Sequence, residues 1–374
     1  MSLIKFNIST DIIIGNYELK NLKSHIDDFC SKKTLIILDN ALENSDYIQD
    51  VINNLKIKNK TISIYINNSK REPTYDHLEK VRFDVNSLGV DLIVAIGGGS
   101  TMDLGKGIAI LLRNNYSALE LKGFPKNIID PLPLITVPTV FGSGSEVSFN
   151  AVFIDEKEGK KLGINSRKNF PKKTIIDPIV TMTAPLNIVI NSAFDTLVHC
   201  VDSYGSKKAN KLSRMLSING FSSTLNCLLN KNLSIPENRI DLAIGSICGI
   251  FALMNSGDGP TNGFAYYFGV KDNIPHGLAG AIFMKDVMKW NYKNGYKDYD
   301  KIINFNHSKE NNFLLIDEVY KKFEIPKLAK YGYEKKHIDN LALEVSRSLM
   351  GSFEGNPIIF DLNSAKDILN EQIE

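Results

Sequence analysis

Short apolar, β-branched runs alternate with amphipathic segments through the first half of the chain. Runs at 34–40 (TLIILDN), 60–66 (KTISIYI), 91–100 (DLIVAIGGGS) and 132–139 (LPLITVPT) predict strands, and the pattern at 77–89 predicts a helix. Continuous apolar strands separated by helices are typical of a parallel sheet that is covered on both faces. This half therefore predicts an α/β fold.

The β-branched runs stop near residue 186. From there the chain carries apolar residues at helical spacing, as in RMLSINGFSSTLNCLLN (214–230) and IDLAIGSICGIFALMN (240–255). The two patterns meet in IIDPIVTMTAPLN (175–187), where two prolines interrupt regular structure. We expect an α/β domain at 1–183 and an all-α domain at 184–374.

Composition excludes several classes of protein. The 374 residues are 43% apolar, enough to bury a large core, and 44 basic residues against 42 acidic ones give no field that favours nucleic acid. No apolar run approaches the roughly 18 residues of a membrane span, and the first residues do not resemble a secretion signal. Four scattered cysteines without a CxxC spacing predict buried, reduced thiols in a cytoplasmic protein.

A glycine-rich loop follows the strand predicted at 91–100. In IGGGSTMDLGKG (96–107), three glycines follow the strand and TMDLGKG then opens a helix, so backbone N–H groups of the loop can approach an anion. The pattern matches neither GxGxxG nor GxxxxGK[ST], and a tight structural turn is the alternative. Thr101 and Asp103 fall in the first helical turn, where an acid also complements the helix dipole.

Two further features suit a nucleotide. Asp39 ends the strand at 34–40, where an acid can bind the ribose hydroxyls of NAD and would repel the 2′-phosphate of NADP, although acids are also common turn residues. The segment VPTVFGSGSEVS (137–148) interleaves glycines with hydroxyls, among them Thr139 and Ser143, which suits a loop around a polar ligand. A flexible surface loop has a similar composition, but the position directly after a predicted buried strand favours a site.

Asp195 and His199 lie four residues apart in the apolar run AFDTLVHC. That spacing places both side chains on one helical face, where they can share a hydrogen bond or hold a divalent ion such as Fe²⁺ or Zn²⁺. His276, in NIPHG, is a third candidate ligand. The spacing alone leaves the choice between a local hydrogen bond and a metal site open.

The chain resembles the iron-containing (group III) alcohol dehydrogenases. The resemblance rests on GGGSTMDLGKG, PTVFGSGSE, IIDPIVTMTAP, FDTLVHCVDSY and IPHG, in the order and spacing of that family, and extends from Asp39 to GNPIIF near the end. It implies a dinucleotide-binding α/β domain, a helical domain and a homodimer. The implied reaction is hydride transfer between a nicotinamide and an alcohol or aldehyde.

The resemblance also implies roles for individual residues. The pyrophosphate is expected on Gly98, Gly99 and Ser100, with further cofactor contacts from Thr139, Ser143 and Lys161, and Asp39 implies NAD rather than NADP. Asp195, His199 and His276 match three metal ligands. The fourth ligand, a histidine in the family, falls on Asn262, and a histidine associated with proton relay falls on Tyr266. We therefore expect a weakly held divalent ion, with Tyr266 and His276 as catalytic residues.

Other functions stay open at this stage. In a metal-free site, His276 and Tyr266 would polarise the substrate oxygen by hydrogen bonds. A dehydroquinate synthase-like cyclase shares the two-domain plan but lacks the GSGSE loop in this form, and a cofactor-binding protein with degenerate catalysis would explain the two lost histidines. The changed residues favour a substrate other than a simple short alcohol. The HGLA and GNPIIF segments resemble specialised branches of the family, which implies an anionic or sugar-derived substrate such as a phosphonoacetaldehyde-like compound or a sugar acid.

Overall fold

Parallel strands and helices alternate through residues 8–185, the first of two compact units in the chain. The computed structural model describes residues 4–55, 61–69, 72–303 and 313–373. The strands are β1 (Asp11–Ile14), β2 (Lys33–Asp39), β3 (Thr61–Asn67), β4 (Leu92–Gly97), β5 (Leu134–Pro138), β6 (Asn150–Asp155), β7 (Lys160–Asn165) and β8 (Lys173–Ile176). The helices are α1 (Leu22–Asp27), α2 (Asp46–Leu55), α3 (Tyr75–Val85), α4 (Gly99–Leu111) and α5 (Pro178–Thr181).

The main sheet is parallel at every pairing within the described residues, in the order β1-β8-β5-β4-β2-β3. The predicted α/β fold with a parallel sheet is therefore confirmed. The chain leaves β2 towards one edge of the sheet and leaves β4 towards the other, so the strand order reverses between these two strands. Ligands of open α/β sheets bind outside the carboxyl ends of the strands at such a point.

The sequence pattern misses four strands, β1, β6, β7 and β8, of which β1 and β8 have only four residues each. β6 and β7 form an antiparallel hairpin in which Asn150 pairs with Asn165 and Asp155 with Lys160. Gly159 makes the turn between them with φ of +60°, a conformation that favours glycine. β1, of four residues, is an edge strand too short to produce a periodic signal. Lys60, the first residue of the strand predicted at 60–66, lies outside the described residues.

In the second unit, all the regular secondary structure among the described residues after Pro185 is helical. Its helices are α6 (Leu186–Gly205), α7 (Lys211–Asn230), α8 (Asn238–Ser256), α9 (Pro260–Asp272), α10 (His276–Lys293), α11 (Asp300–Ile303), α12 (Leu314–Lys322), α13 (Ile338–Ser348), α14 (Met350–Gly355) and α15 (Leu362–Ile373). Among the described helices, α8 alone is long and apolar enough to meet the threshold for a membrane span. However, 61% of the apolar stretch of α8 is buried inside the protein, as expected of a core helix.

The segment ending at Asn7 belongs to the helical unit, although the sequence pattern assigned it to the first domain. The Asn7 N–H donates to Asn255 Oδ1 at 2.9 Å, and Asn255 Nδ2 donates to the Asn7 carbonyl at 3.3 Å. Asn255 lies near the end of α8. Both hydrogen-bonding groups of the Asn7 backbone are thus satisfied by one side chain of the helical unit.

Helix α10 begins in close contact with α6. A Cβ added at Gly277 would overlap the Asn191 carbonyl oxygen and lie 3.1 Å from the Asp195 Cβ. One turn later, a Cβ at Gly280 would lie 2.8 Å from a Val198 methyl group. The missing side chains let the two helix backbones approach, and this brings the start of α10 to the middle of α6.

We predict that Gly277→Ala destabilises the helical unit. The added methyl group has no room against the α6 backbone, so α10 must shift, at a cost of about 1–3 kcal/mol for an overpacked core. Urea unfolding monitored by circular dichroism measures the change. Gly351→Ala is the matched control, since a Cβ there meets nothing within 4 Å. Equal midpoints for the two variants would contradict the close contact.

Candidate active site

Asp39 and the glycine loop meet at the carboxyl edge of the parallel sheet. β2 and β4 are paired, so Asp39 at the end of β2 lies beside Gly97 at the end of β4. A Cβ added at Gly97 would lie 2.7 Å from the Thr101 Cβ and 2.9 Å from the Asp39 Cβ. Thr101 Oγ1 donates to Asp39 Oδ2 at 3.3 Å and accepts from Asn67 Nδ2 at 3.0 Å. The acid expected at the ribose thus lies against the first turn of α4, where the strand order reverses.

Helix α4 begins at Gly99, two residues before the expected start at Thr101, so Asp103 is its fifth residue and lies outside the first turn in which it was predicted. Gly98 is the N-cap residue and has no side chain to cap the first N–H groups of the helix, which leaves the N–H groups of Gly99 and Ser100 directed at any anion bound there. The segment after β5 packs against this turn: the Thr139 N–H donates to the Gly97 carbonyl at 3.0 Å, and a Cβ at Gly99 would lie 2.7 Å from Ser143 Oγ.

Asp103 has a structural partner that the sequence did not reveal. Its carboxylate accepts from Ser145 Oγ at 2.5 Å, from the Val152 N–H at 3.0 Å and from Lys106 Nζ at 3.2 Å. The Asp103 oxygens are therefore engaged by the loop and the hairpin. A contact between Asp103 and the cofactor stays a prediction, and its observed contacts hold the loop in place.

Lys106 is fully buried on α4. Its Nζ also donates to Ser145 Oγ at 2.8 Å, to the Asn150 carbonyl at 2.6 Å and to Ser148 Oγ at 3.3 Å. Burial lowers the pKa of the Lys106 ammonium, and the Asp103 and Glu146 carboxylates oppose that effect. One buried cation thus ties α4 to the loop that contains Ser143.

Lys161, on β7, lies within reach of a carboxylate. Its Nζ donates to Glu72 Oε1 at 2.7 Å. The ammonium is therefore engaged by an acid of its own unit, and the expected cofactor contact of Lys161 stays a prediction.

In the helical unit, three helices bring together the candidate metal ligands. Asp195 and His199 lie one turn apart on α6, Asn262 lies in the first turn of α9, and His276 is the first residue of α10. Asp195 Oδ1 lies 3.5 Å from His199 Nε2 and 3.7 Å from His276 Nε2. His276 Nε2 lies 3.1 Å from Asn262 Oδ1.

Aromatic packing fixes α9 against α10. The Phe264 and Phe283 rings stack with their centroids 4.5 Å apart, and Phe268 stacks on Phe283 at 4.9 Å. Stacked pairs of this kind contribute about 0.5–1.5 kcal/mol beyond their burial. Because Phe264 follows Asn262 by two residues, this packing sets the distance between Asn262 and His276.

The observed side chains fit a divalent ion in their chemistry and spacing. Asp195 Oδ1 and His199 Nδ1 are buried without a hydrogen-bond partner, and a carboxylate oxygen in that state is costly unless a cation faces it. Ligand atoms about 2.1 Å from a tetrahedral ion lie about 3.4 Å apart, close to the three distances around Asp195 and His276. Among the described residues, however, no group of three or more His, Cys, Asp or Glu side chains is arranged as a metal site. The fit therefore includes the Asn262 amide, and metal binding stays a prediction.

Tyr266 packs beside the candidate ligands. Its ring centroid lies 4.9 Å from that of His276, with an angle of 41° between the ring planes. The two residues expected to move a proton are thus in contact.

Two acids of this site escaped the sequence interpretation. Asp202 lies one turn after His199 on α6, and its Oδ2 accepts from the Asn262 N–H at 2.7 Å. Burial raises the pKa of Asp202 to about 7, and the hydrogen bond from the Asn262 backbone opposes the rise. Asp258 lies just before α9; its Oδ2 accepts from Ser352 Oγ at 3.0 Å, and burial raises the pKa of its carboxyl. The helical spacing of Asp202 from His199 was a usable signal, whereas Asp258, in a loop, had none.

Comparison with known proteins finds two family models that together match most of the chain. The model of the iron-containing alcohol dehydrogenases matches residues 9–178, and that of the C-terminal region of the Fe-containing alcohol dehydrogenase family matches residues 189–372. An alcohol dehydrogenase of Thermococcus barophilus is 27% identical over 90% of this chain and 90% of its own length. A 4-hydroxybutyrate dehydrogenase of Clostridium kluyveri is 27% identical over 76% of this chain and 80% of its own.

The fold is also similar to a solved structure with a bound nicotinamide. Sulfoacetaldehyde reductase from Bifidobacterium kashiwanohense in complex with NAD⁺ superposes with a TM-score of 0.90 at 18% identity, covering 100% of both chains. At that identity the likeness shows the fold alone.

We predict that Lys106→Met destabilises the α/β unit by about 3–5 kcal/mol, since removing one partner leaves the other charges buried without compensation. Chemical unfolding of the two proteins measures the difference. Lys23→Met is the control: Lys23 forms an exposed pair with Asp27 at 2.7 Å on one helix, which contributes about 0.3–0.5 kcal/mol. A loss for Lys106→Met as small as the control would show that the buried network does not hold the loop.

Proposed function

Because the chain belongs to the iron-containing alcohol dehydrogenase family, we propose that it transfers a hydride between NAD(H) and a small alcohol or aldehyde, assisted by a divalent metal ion. The observation that carries the proposal is Asp195 Oδ1, a buried carboxylate oxygen without a donor that faces two imidazole nitrogens. When bound, the nicotinamide exchanges the hydride, and the ion stabilises negative charge on the substrate oxygen.

The α/β unit supplies the cofactor contacts in this proposal. The N–H groups of Gly99 and Ser100 hold the pyrophosphate at the start of α4, and Asp39 accepts hydrogen bonds from the ribose hydroxyls. Ser143 and Thr139 border the same turn. Lys106 preorganises this loop by holding Ser145 beside it.

The helical unit supplies the ion ligands and the proton path. Asp195, His199 and His276 hold the ion through one oxygen and two nitrogens, and Asn262 adds a neutral oxygen, which is a weaker ligand than an imidazole for Fe²⁺ or Zn²⁺. The Tyr266 hydroxyl exchanges the proton of the substrate oxygen, in contact with His276.

We propose an anionic or sugar-derived substrate, such as a phosphonoacetaldehyde-like compound or a sugar acid. The similarity to a 4-hydroxybutyrate dehydrogenase, whose name denotes a carboxylate substrate, supports an anionic substrate.

We also propose that the protein is a cytoplasmic homodimer. The four cysteines, all within the described residues, are unpaired, as expected in a reducing compartment. Cys200 and Cys227 are buried as predicted, whereas Cys30 is exposed and Cys248 is half-buried.

We predict that the protein binds NADH more tightly than NADPH, and that Asp39→Gly narrows the difference. The Asp39 carboxylate would repel a 2′-phosphate, and its removal abolishes that repulsion. Titration of nicotinamide fluorescence with both cofactors gives the two dissociation constants. Thr10→Ala, a substitution outside the loop, serves as the control. Equal affinities of the unaltered protein for both cofactors would refute this role of Asp39.

We predict that Asn262→His strengthens metal binding and that the unaltered protein loses its metal and turnover readily to chelators. The substitution rebuilds one carboxylate and three imidazoles around an open position. Elemental analysis and NADH oxidation are measured with a panel of anionic aldehydes, with and without added Fe²⁺ or Zn²⁺. His276→Ala is expected to abolish both metal and turnover.

Each alternative function has a distinct outcome in the same measurements. Full turnover by metal-free protein, indifferent to both ions, would support the metal-free site. NADH binding without turnover on any carbonyl compound would support a cofactor-binding protein. Conversion of a substrate with no net change in NAD⁺ would support the cyclase.

A further inference from the structure

Asn67 lies at the end of β3, beside the acid expected at the ribose. β3 and β2 are parallel and Asn67 is the register partner of Asp39, so both side chains leave the sheet on the same face at its carboxyl edge. The Asn67 side chain is buried. A buried amide is costly unless its donor and acceptor ends are both satisfied, so its two hydrogen bonds show what it does there.

A backbone N–H group decides which way the Asn67 amide points. The Ser69 N–H donates to Asn67 Oδ1 at 3.3 Å. Because a backbone N–H can only donate, the amide must turn its oxygen towards Ser69, which leaves its NH₂ group for Thr101. Asn67 Nδ2 donates to Thr101 Oγ1 at 3.0 Å. The amide therefore presents a donor, and not an acceptor, to the Thr101 hydroxyl.

The Thr101 hydroxyl passes this direction on to Asp39. Its side chain is fully buried in the first turn of α4. A hydroxyl has one hydrogen, and the Asn67 amide cannot accept it, so the hydrogen is available to Asp39 Oδ2, which lies 3.3 Å from Thr101 Oγ1. The hydrogen bonds thus run in one direction, from the amide through the hydroxyl to the carboxylate.

The Asp39 carboxylate is held at both oxygens and still has room for a ligand. Its Oδ1 accepts from the Ala41 N–H at 3.0 Å, and its Oδ2 accepts from Thr101. An ionised carboxylate has about four acceptor positions, so these two bonds leave about one on each oxygen. The two hydroxyls of a ribose need two acceptors. A carboxylate already fixed in this orientation loses little side-chain freedom when it binds them.

We propose that Asn67 and Thr101 are positioning residues for the cofactor, which hold the Asp39 carboxylate in the orientation that accepts from the ribose hydroxyls. The preference for NADH over NADPH then depends on three side chains rather than on Asp39 alone. This inference rests on the cofactor contacts proposed above and is independent of the metal ion. It also gives Thr101 an action through Asp39 rather than a direct contact with the cofactor.

The test measures the dissociation constants of NADH and NADPH by fluorescence titration of the full chain. Thr101→Val and Asn67→Leu each remove the polar group and keep a similar size. Each is expected to weaken NADH binding about 2- to 10-fold, the usual range for one further side chain that must be ordered on binding. NADPH binding is expected to change less, because Asp39 repels the 2′-phosphate and has no favourable bond to lose there.

Two controls make the same substitutions elsewhere in the α/β unit. Thr174 is fully buried on β8, and its Oγ1 donates to the Thr136 carbonyl, also at 3.3 Å. Asn114 is buried, and its Nδ2 donates to the Ile129 carbonyl at 3.2 Å. Thr174→Val and Asn114→Leu are expected to leave both dissociation constants unchanged.

Thr101→Ser separates hydrogen bonding from packing. It keeps the hydroxyl and loses the methyl group, so its NADH affinity is expected to stay close to that of the unaltered protein. If Thr101→Val binds normally and Thr101→Ser binds weakly, the side chain acts by packing and the inference is overturned. If Thr101→Val or Asn67→Leu does not fold by circular dichroism, the other decides, since unchanged NADH affinity in the folded variant overturns the inference.

A double-mutant cycle with Asp39→Gly shows whether Thr101 acts through the carboxylate. If it does, Thr101→Val adds no further loss of NADH affinity once Asp39→Gly has removed the carboxylate. A full additional loss in the double variant would overturn the inference.

Failure of the proposed function gives a different result. If the unaltered protein binds neither NADH nor NADPH, the proposed hydride transfer is wrong and this inference is overturned with it. If Asp39→Gly narrows the preference while Thr101→Val and Asn67→Leu bind both cofactors normally, only the role of Asn67 and Thr101 is overturned.

Discussion

The candidate site depends on one close contact between backbones, that of α10 on α6 at Gly277. His276 reaches Asp195 only because the residue after it has no side chain to hold the helices apart. Steric exclusion is steep, so this contact leaves α10 a narrow range of positions. The stacking of Phe264 on Phe283 fixes α9 against α10. As a result, Asn262 Oδ1 lies 3.1 Å from His276 Nε2. A packing constraint thus fixes distances that decide the chemistry.

Asp195, Asp202 and Asp258 are buried or largely buried carboxylates of the helical unit, and each is compensated differently. Asp202 accepts from the Asn262 N–H at the start of α9, and Asp258 accepts from Ser352 Oγ. Only Asp195 retains an oxygen that is buried without a donor. Because an uncompensated buried carboxylate is costly, the arrangement favours a cation at Asp195 rather than at its two neighbours. In the α/β unit, a cation of the protein itself has this role: the buried Lys106 ammonium compensates the negative charges of Asp103 and Glu146.

The sequence predicted those parts of the structure that short-range pattern controls. Apolar runs such as that ending in Asp39 located the parallel strands, and the i,i+4 spacing of Asp195 and His199 located a shared helical face. The hairpin of β6 and β7 was missed although β6 contains the apolar run AVFI (151–154), and β7 (KKLGIN) has no comparable run. Asp258 was missed for a different reason: its partner Ser352 is distant in sequence, and neither residue belongs to a periodic pattern. Lys106 reads as a surface residue from its type alone, and only the fold reveals that it is buried.

The pairing of Asn7 with Asn255 has a consequence for how the chain folds during synthesis. The two residues are 248 apart in sequence, so the segment before Ile8 leaves the ribosome long before its partner exists. The α/β unit lies between them and can complete its own folding during that interval, because domains generally fold as units. The helical unit can close around Asn7 only after α8 has been translated. Asn7 therefore acquires its native hydrogen-bonding partner only after the whole α/β unit that follows it has been synthesised.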